Sequence, residues 1–289
     1  MTRSPYDLTM PKRRLTGVVF ASPHSGRDYP AGFLETSILD EHSIRSSEDA
    51  FIDQLLDGVT SFGAPLLTAR APRAYVDVNR AADEMDPALF EGVRIAVHNP
   101  RVASGLGVIP RVVAGGRAIY RGKLPMSEAA TRIEQVWHPY HDCLRRLLDD
   151  ARASFGQSIL IDLHSMPHEA MDSIASSGVK RPEIVLGDRF GSAAAPEIVD
   201  RIEAAFEAAG FRTQRNAPFA GAYITQTYGR PSRGMHAVQI EMDRSLYMNE
   251  REIRPNGNFL GFKRILTGIL AEIAEIGRGK PSTIPLAAE

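Results

Sequence analysis

The sequence predicts an α/β fold, with a mixed, mostly parallel sheet covered by helices on both faces. Three observations lead there. Strand-like apolar runs alternate with amphipathic helical patterns along the 289 residues. Several runs are apolar without interruption, as in Val18-Val-Phe-Ala21 and Ile159-Leu-Ile161, which suits strands buried on both sides. The chain is also long enough to bury a core between two helical layers.

In chain order, residues 1–15 read as a loose arm carrying Lys12, Arg13 and Arg14. The apolar stretch that follows ends at Ala21, too short for a signal peptide or a membrane span. Residues 16–22, 65–69, 73–78, 158–163, 183–187 and 236–242 read as strands. Residues 48–62, 127–137, 139–155, 196–209 and 258–276 read as helices. Pro196 at a first helical position and Gly210 just past the end bracket one of them. Pro139 splits or kinks what would otherwise be one long helix. Between 86 and 125, Asp86-Pro87, Asn99-Pro100, Gly105, Gly107, Pro110, Gly115-Gly116 and Pro125 punctuate a region without periodicity, the form of a functional loop or lid. Residues 16–277 read as a single domain and 278–289 as a Pro-containing tail.

Composition narrows the function by exclusion. With 34 basic and 35 acidic residues the net charge is −1, which argues against nucleic acid or an acidic surface as partner. Anion recognition must come from a local site. Cys143 is the only cysteine, so no internal disulfide or thiolate zinc cluster can form, and a reducing cytoplasm fits. It lies in the helical pattern Tyr140-His-Asp-Cys-Leu-Arg-Arg-Leu-Leu and reads as a small buried residue rather than a nucleophile.

Several apolar runs end in residues that carry chemistry. His24 closes Val-Val-Phe-Ala-Ser-Pro-His24-Ser-Gly26, His164 closes Ile159-Leu-Ile-Asp162-Leu-His164-Ser165, and Asn79-Arg80 follows Tyr75-Val-Asp-Val. In an open α/β sheet the ligand crevice lies outside the carboxyl ends of the strands. Two histidines and a carboxylate are the usual protein ligands of a catalytic zinc. The common two-residue spacing from histidine to glutamate is absent, and the nearest acids are Glu48 and Asp49. One can complement the dipole of a helix over 48–62 while the other binds metal. Asp162 is a candidate acceptor behind His164, or points into the opposite layer. Arg80 offers a planar fork for a carboxylate, against a surface ion pair with Asp77, Asp83 or Glu84. Glu241, in Val238-Gln-Ile-Glu241-Met, is a carboxylate in an apolar strand, suited to proton transfer with a raised pKa, or else paired with an arginine such as Arg244. Tyr223, Gln226 and Tyr228 can close over a substrate and donate to an oxyanion.

In order along the chain, Pro-His24-Ser-Gly, Glu48-Asp49, Asp-Val-Asn79-Arg80, Trp-His-Pro-Tyr-His141, Asp162-Leu-His164-Ser, Gly221-Ala-Tyr-Ile-Thr and His236-Ala-Val-Gln-Ile-Glu241-Met resemble the N-formylglutamate amidohydrolase family. The likeness runs from about residue 16 to 270. That family is similar in fold to zinc carboxypeptidases and the aspartoacylase group. The resemblance therefore implies a three-layer α/β/α sandwich of the phosphorylase/hydrolase-like kind, with one zinc ion per chain. It implies metal binding by His24, His164 and an acidic residue of the 48–49 pair. Asp49 is favoured because the family's acid stands just ahead of an apolar helical segment, with Glu48 as the alternative. It further implies that Asn79 and Arg80 hold a substrate carboxylate and that Glu241 is the general base, while Tyr223 and Gln226 are expected to bind substrate from their own chemistry. One departure stands out. Where the family tends to carry Ile-Thr-Arg-His-Tyr-Gly, this chain has Ile224-Thr-Gln226-Thr227-Tyr228-Gly, so a cation able to grip a second carboxylate is replaced by a neutral amide. That implies a shifted side-chain preference.

The expected function is a cytoplasmic, zinc-dependent amidohydrolase of an N-formyl or small N-acyl amino acid such as N-formylglutamate, within amino-acid catabolism such as histidine degradation. A small carboxylate is the expected partner, with no nucleic acid and no membrane, and a homo-oligomer is compatible with all of this. Two rival readings remain: a zinc carboxypeptidase-like hydrolase of short peptides, and a non-catalytic anion-binding protein on the same fold. His24, His164 and Glu241 together argue against the second rival, since a pure binder has no need of all three.

Overall fold

The uninterrupted apolar runs become the centre of one seven-stranded sheet. The computed structural model describes residues 4–93, 99–172 and 181–278. The strands are β1 (Tyr6–Thr9), β2 (Val18–Ser22), β3 (Leu66–Ala69), β4 (Ser158–Met166), β5 (Ile184–Gly187), β6 (Thr213–Arg215) and β7 (Met235–Asp243), in the spatial order β1-β3-β2-β4-β7-β5-β6. Strands β3, β2, β4 and β7 run parallel, β5 lies antiparallel to β7 with β6 parallel to it, and β1 closes the other edge antiparallel to β3. The sheet is mixed and mostly parallel, as expected.

The helices are α1 (Ala31–Thr36), α2 (Ile52–Leu55), α3 (Pro100–Ala103), α4 (Met126–Arg132), α5 (His138–Phe155), α6 (Pro196–Ala208), α7 (Tyr223–Tyr228) and α8 (Phe259–Ile276). Strand residues alternate between two cores because successive side chains point to opposite faces. Val18, Phe20, Ile161, Val238 and Ile240 join α6 and α8 in one core, while Val19, Leu67, Leu160 and Ala237 join α5 in the other. On α8 the buried residues Phe262, Leu266, Ile269, Leu270 and Ile273 follow helical spacing. Each contributes roughly 1.5–3 kcal/mol by burial. The same alternation places Asp162 and His164 of β4 on the α5 side, in register with Gln239 and Glu241 of β7. The core face of those two strands thus turns into polar chemistry at their carboxyl ends. Cys143 is buried among the α5 residues, as expected of a small apolar side chain.

Several elements differ from expectation. The N-terminal stretch is not all loose: β1 pairs with β3, and Arg70 reaches back to Asp7. β6 is too short and polar to show a strand pattern. Residues 73–78 form turns rather than a strand, and β3, which precedes them, is already paired on both sides by β1 and β2. There Tyr75 and Val76 donate to the Pro72 carbonyl, and Asp77 donates to that of Val108. The helix expected over 48–62 is broken into α2 and a 3-10 turn at Val59–Phe62, with Phe51 in the left-handed region at φ 69°. Asp49 therefore sits in no helical turn. Its N–H donates instead to the His24 carbonyl at 3.0 Å, which draws it to the end of β2. Pro139 kinks rather than splits: a π-helical turn at Ile133–Trp137 joins α4 to α5, widening the helix where the proline supplies no donor. Residues 279–289 of the tail and 94–98 of the loop region lie outside the described residues. Among the described residues no helix is long and apolar enough to cross a membrane.

Candidate active site

The site forms where β2, β4 and β7 end. His24 follows β2 by two residues, in a loop that passes so close to the chain after β3 that a Cβ on Gly26 would lie 2.2 Å from the Ala71 carbonyl oxygen. That contact accounts for the glycine of the Pro-His24-Ser-Gly motif. Asp49 Oδ2 lies 3.0 Å from His164 Nδ1 and 3.5 Å from His24 Nδ1. The other ring nitrogens face carboxylates, His24 Nε2 at 2.7 Å from Asp77 Oδ1 and His164 Nε2 at 3.0 Å from Asp162 Oδ2. A carboxylate can only accept, so each Nε2 carries a hydrogen, and a cation bound beside Asp49 would meet the Nδ1 side of both rings. His24 Nδ1 is buried without a hydrogen-bond partner among the described residues. One atom from each of the three residues falls within 4.8 Å of the others.

Two imidazole nitrogens converging on a carboxylate oxygen fit a divalent cation, and an N,N,O donor set suits zinc. Asp77 and Asp162 stand behind the histidines and fix their tautomers, the usual outer support of such sites. Asp162 therefore points into the site, not the opposite layer. Arg244 Nη2 donates to Asp49 Oδ1 at 3.1 Å and its Nε to Ser165 Oγ, which leaves Oδ2 of Asp49 for the histidine side. Burial opposes the charge of Asp49, but the bond to His164 and the nearness of His24 outweigh that and hold its pKa well below the carboxylate range. Glu48 is turned away, accepting from Tyr29 Oη at 2.7 Å and from Arg45 Nε and Nη2.

A cavity of about 410 Å³ opens over this group, lined by His24, Asp49, His164, Arg73, Arg80 and Glu241 among others. Glu241 is buried, and burial raises its pKa, with the Asp49 charge adding to the effect and His164 opposing it. Its Oε1 accepts from Gln239 Nε2 at 2.8 Å, while Oε2 has no hydrogen bond among the described residues. Arg244, weighed as its partner, pairs with Asp49 instead. Arg80 is 6% exposed, yet its guanidinium has neither an ion pair nor a hydrogen bond among the described residues, and its Nε is buried without a partner. The surface ion pair with Asp77, Asp83 or Glu84 does not form. Asn79 is partly committed: Oδ1 accepts from the Ile224 N–H at 2.9 Å, while Nδ2 lies 3.4 Å from His164 Nε2.

Tyr223 and Gln226 line a second cavity of about 340 Å³, which shares Arg80, Arg101, Gly221 and Ala222 with the first. Tyr228 faces neither. It is buried, with its hydroxyl 2.9 Å from His141 Nδ1. From the region 86–125, Arg101, Val112 and Gly115 line the main cavity.

Sequence reasoning missed Arg73, which lines the main cavity and donates from Nη2 to Asp77 Oδ2 at 3.0 Å. No apolar run ends at it, so no pattern marked it. Gln239 was within reach, since a period of two places it beside Glu241 on one face of β7. Arg101, in the single turn of α3, and Arg189, in the loop after β5, both line the second cavity and end no apolar run.

Comparison with known proteins supports the same reading. The N-formylglutamate amidohydrolase family matches residues 16–248. N-formylglutamate deformylase of Pseudomonas putida is 31% identical over 242 residues, covering 81% of this chain and 83% of that protein. The Pseudomonas aeruginosa enzyme of that name is 31% identical over 244 residues, with 83% and 85% covered. The crystal structure of N-formylglutamate amidohydrolase from Ralstonia eutropha JMP134 superposes with a TM-score of 0.89 at 34% identity, covering 96% of this chain and 99% of that one.

Proposed function

Since the chain belongs to the N-formylglutamate amidohydrolase family and is a hydrolase acting on an amide bond, we propose that it deformylates an N-formyl amino acid of the N-formylglutamate type, using one zinc ion held by His24, Asp49 and His164. The observation that carries this is the single cavity shared by that metal-binding group, a buried carboxyl at Glu241 and an unpaired buried guanidinium at Arg80.

Zinc would supply Lewis acidity there and lower the pKa of a water towards about 7. Glu241 takes the attacking water's proton on Oε2 and delivers it to the leaving nitrogen. A raised pKa suits both halves of that transfer. Arg80 holds the substrate's α-carboxylate through its planar fork, and the substrate supplies the countercharge that the protein does not. Asn79 Nδ2 is the neighbouring donor. Arg73, anchored by Asp77, is placed to donate to the acyl oxygen as charge builds on it. Formate and a free amino acid leave, a reaction suited to amino-acid catabolism in the cytoplasm.

The test measures metal content and formate release from a panel of N-formyl and N-acetyl amino acids. About one zinc per chain is expected, with formate release lost on chelation and restored by zinc. Release of C-terminal residues from dipeptides, with no formate from any N-formyl substrate, would replace this reading with a peptidase.

A further inference from the structure

The second cavity carries positive charge that the protein leaves unanswered. Arg80, Arg101 and Arg189 line it together with one carboxylate, Glu84. That carboxylate is already engaged: Oε1 accepts from the Ala81 N–H and Oε2 from Asn99 Nδ2, each at 3.0 Å. Arg101 and Arg189 have no side-chain hydrogen bond or ion pair among the described residues. Three guanidiniums around one small cavity repel one another unless an anion joins them.

Both arginines are held in place by their backbones. Asn99 Oδ1 accepts from the N–H of Arg101 at 3.0 Å and that of Val102 at 3.4 Å, while its Nδ2 ties up Glu84. Arg189 and Phe190 both lie in the left-handed region, at φ 55° and 56°, which is strained for residues other than glycine. A clamp enforces this. Asn216 Oδ1 accepts from the N–H groups of Asp188 and Phe190, Asn216 Nδ2 donates to Asp188 Oδ1 at 2.6 Å, and the Arg189 N–H donates to the Ala220 carbonyl. Strained backbone of this kind persists only where its surroundings over-determine it, and it gathers at ligand sites. Here it brings Arg189 to the wall of the cavity.

We infer that this cavity is the subsite for the substrate's side chain and takes a carboxylate there, bound by Arg101 and Arg189. The inference rests on the deformylase reading above. The cation missing at position 226 is then supplied from two other elements, α3 and the β5–α6 loop, and Gln226 adds a neutral amide at the rim. The chain thus selects an acidic side chain by a route that the departure at Gln226 conceals.

The experiment compares kcat/KM for N-formyl-L-glutamate and N-formyl-L-glutamine, which match in size and differ in charge. Zinc-loaded wild type, Arg101→Gln, Arg189→Gln and the double variant are assayed. Wild type should prefer the acid by ~100-fold, each single variant should lose about tenfold of that preference, and the double variant should lose it. Binding of N-formyl-L-glutamate to the slow Glu241→Gln variant gives a readout independent of turnover, and adding both arginine changes should weaken it by about the same factor as the lost preference. Equal turnover of acid and amide by wild type, or a preference that survives in the double variant, overturns the subsite and leaves the deformylase reading standing. No formate from either substrate overturns both.

Discussion

Trp137 Nε1 donates to the main-chain carbonyl oxygen of Arg80 at 2.8 Å. From the next turn of the same helical segment, His141 Nε2 donates to the Val78 carbonyl at 2.8 Å while Nδ1 accepts from Tyr228 Oη. The Trp-His-Pro-Tyr-His141 motif thus supports from beneath the turn that presents Arg80. Trp137→Phe keeps an aromatic ring but leaves that buried carbonyl unpaired, at a cost of about 1–3 kcal/mol in stability. With Arg80 less firmly held, KM for a carboxylate substrate should rise several-fold with kcat nearly unchanged. A lower melting temperature with unaltered KM would limit Trp137 to packing.

His24→Ala and His164→Ala should each lose zinc, measured by metal analysis on folded protein. Asp49→Ala should lose it too, because its Oδ2 faces both histidines. Glu48→Ala should keep zinc and lose only the ties to Tyr29 and Arg45. Full metal content in both histidine variants would move the metal elsewhere.

Replacing Arg80 by lysine keeps the charge and loses the two-point grip, so Arg80→Lys should not restore function. Arg80→Ala should forfeit roughly 2–5 kcal/mol of transition-state stabilisation. Most of that difference should disappear on a substrate whose α-carboxylate is capped as an amide. Wild type cleaving capped and free substrates equally well would show that Arg80 does not hold the carboxylate.

What was legible in the sequence follows the periodic signals. The apolar runs of β2, β4 and β7 predicted the sheet centre, and their ends marked His24, His164 and Glu241. The strand assigned to 73–78 was misplaced because an apolar stretch says nothing about whether the neighbouring strand, here β3, is already paired on both sides. The helix over 48–62 failed because Asp49 is drawn to the His24 carbonyl, a contact between segments that no local pattern encodes. Arg73, Arg101 and Arg189 were silent for the same reason: contacts between distant segments, not a local pattern, bring them to the cavities.

His141 offers a pH test. Burial keeps it neutral and pushes its pKa down to about 4, against roughly 6.5 in an unfolded chain. Between those values the unfolded chain binds a proton that the folded protein refuses. Its contribution is therefore intact above the unfolded value and declines as pH falls towards the folded one, by about 3 kcal/mol in all. His141→Gln can still donate to Val78 and accept from Tyr228 but does not titrate. Urea unfolding with chelator present, at neutral pH and at pH ~4.5, should show a smaller acid loss for the variant than for wild type. Identical losses would clear His141 of the effect.

Glu241 separates catalysis from structure most sharply. Glu241→Gln keeps the shape and the bond to Gln239 but cannot take a proton from water, so turnover should fall by about 10²–10⁴-fold. Zinc content and substrate affinity should change little, because the residue binds neither. In metal-free protein burial raises this carboxyl, and stability reports the shift. A glutamate whose folded pKa is raised binds its proton more tightly in the folded state, so its contribution is present below the unfolded pKa and lost as pH climbs through the folded one. At neutral pH in metal-free protein the charged carboxyl is therefore a burden, and Glu241→Gln should raise the melting temperature. A structural salt bridge predicts the reverse, a less stable variant whose activity falls only with the folded fraction. Melting temperature and turnover from one preparation decide between them, and a stable, zinc-loaded, fully active variant would remove Glu241 from the mechanism.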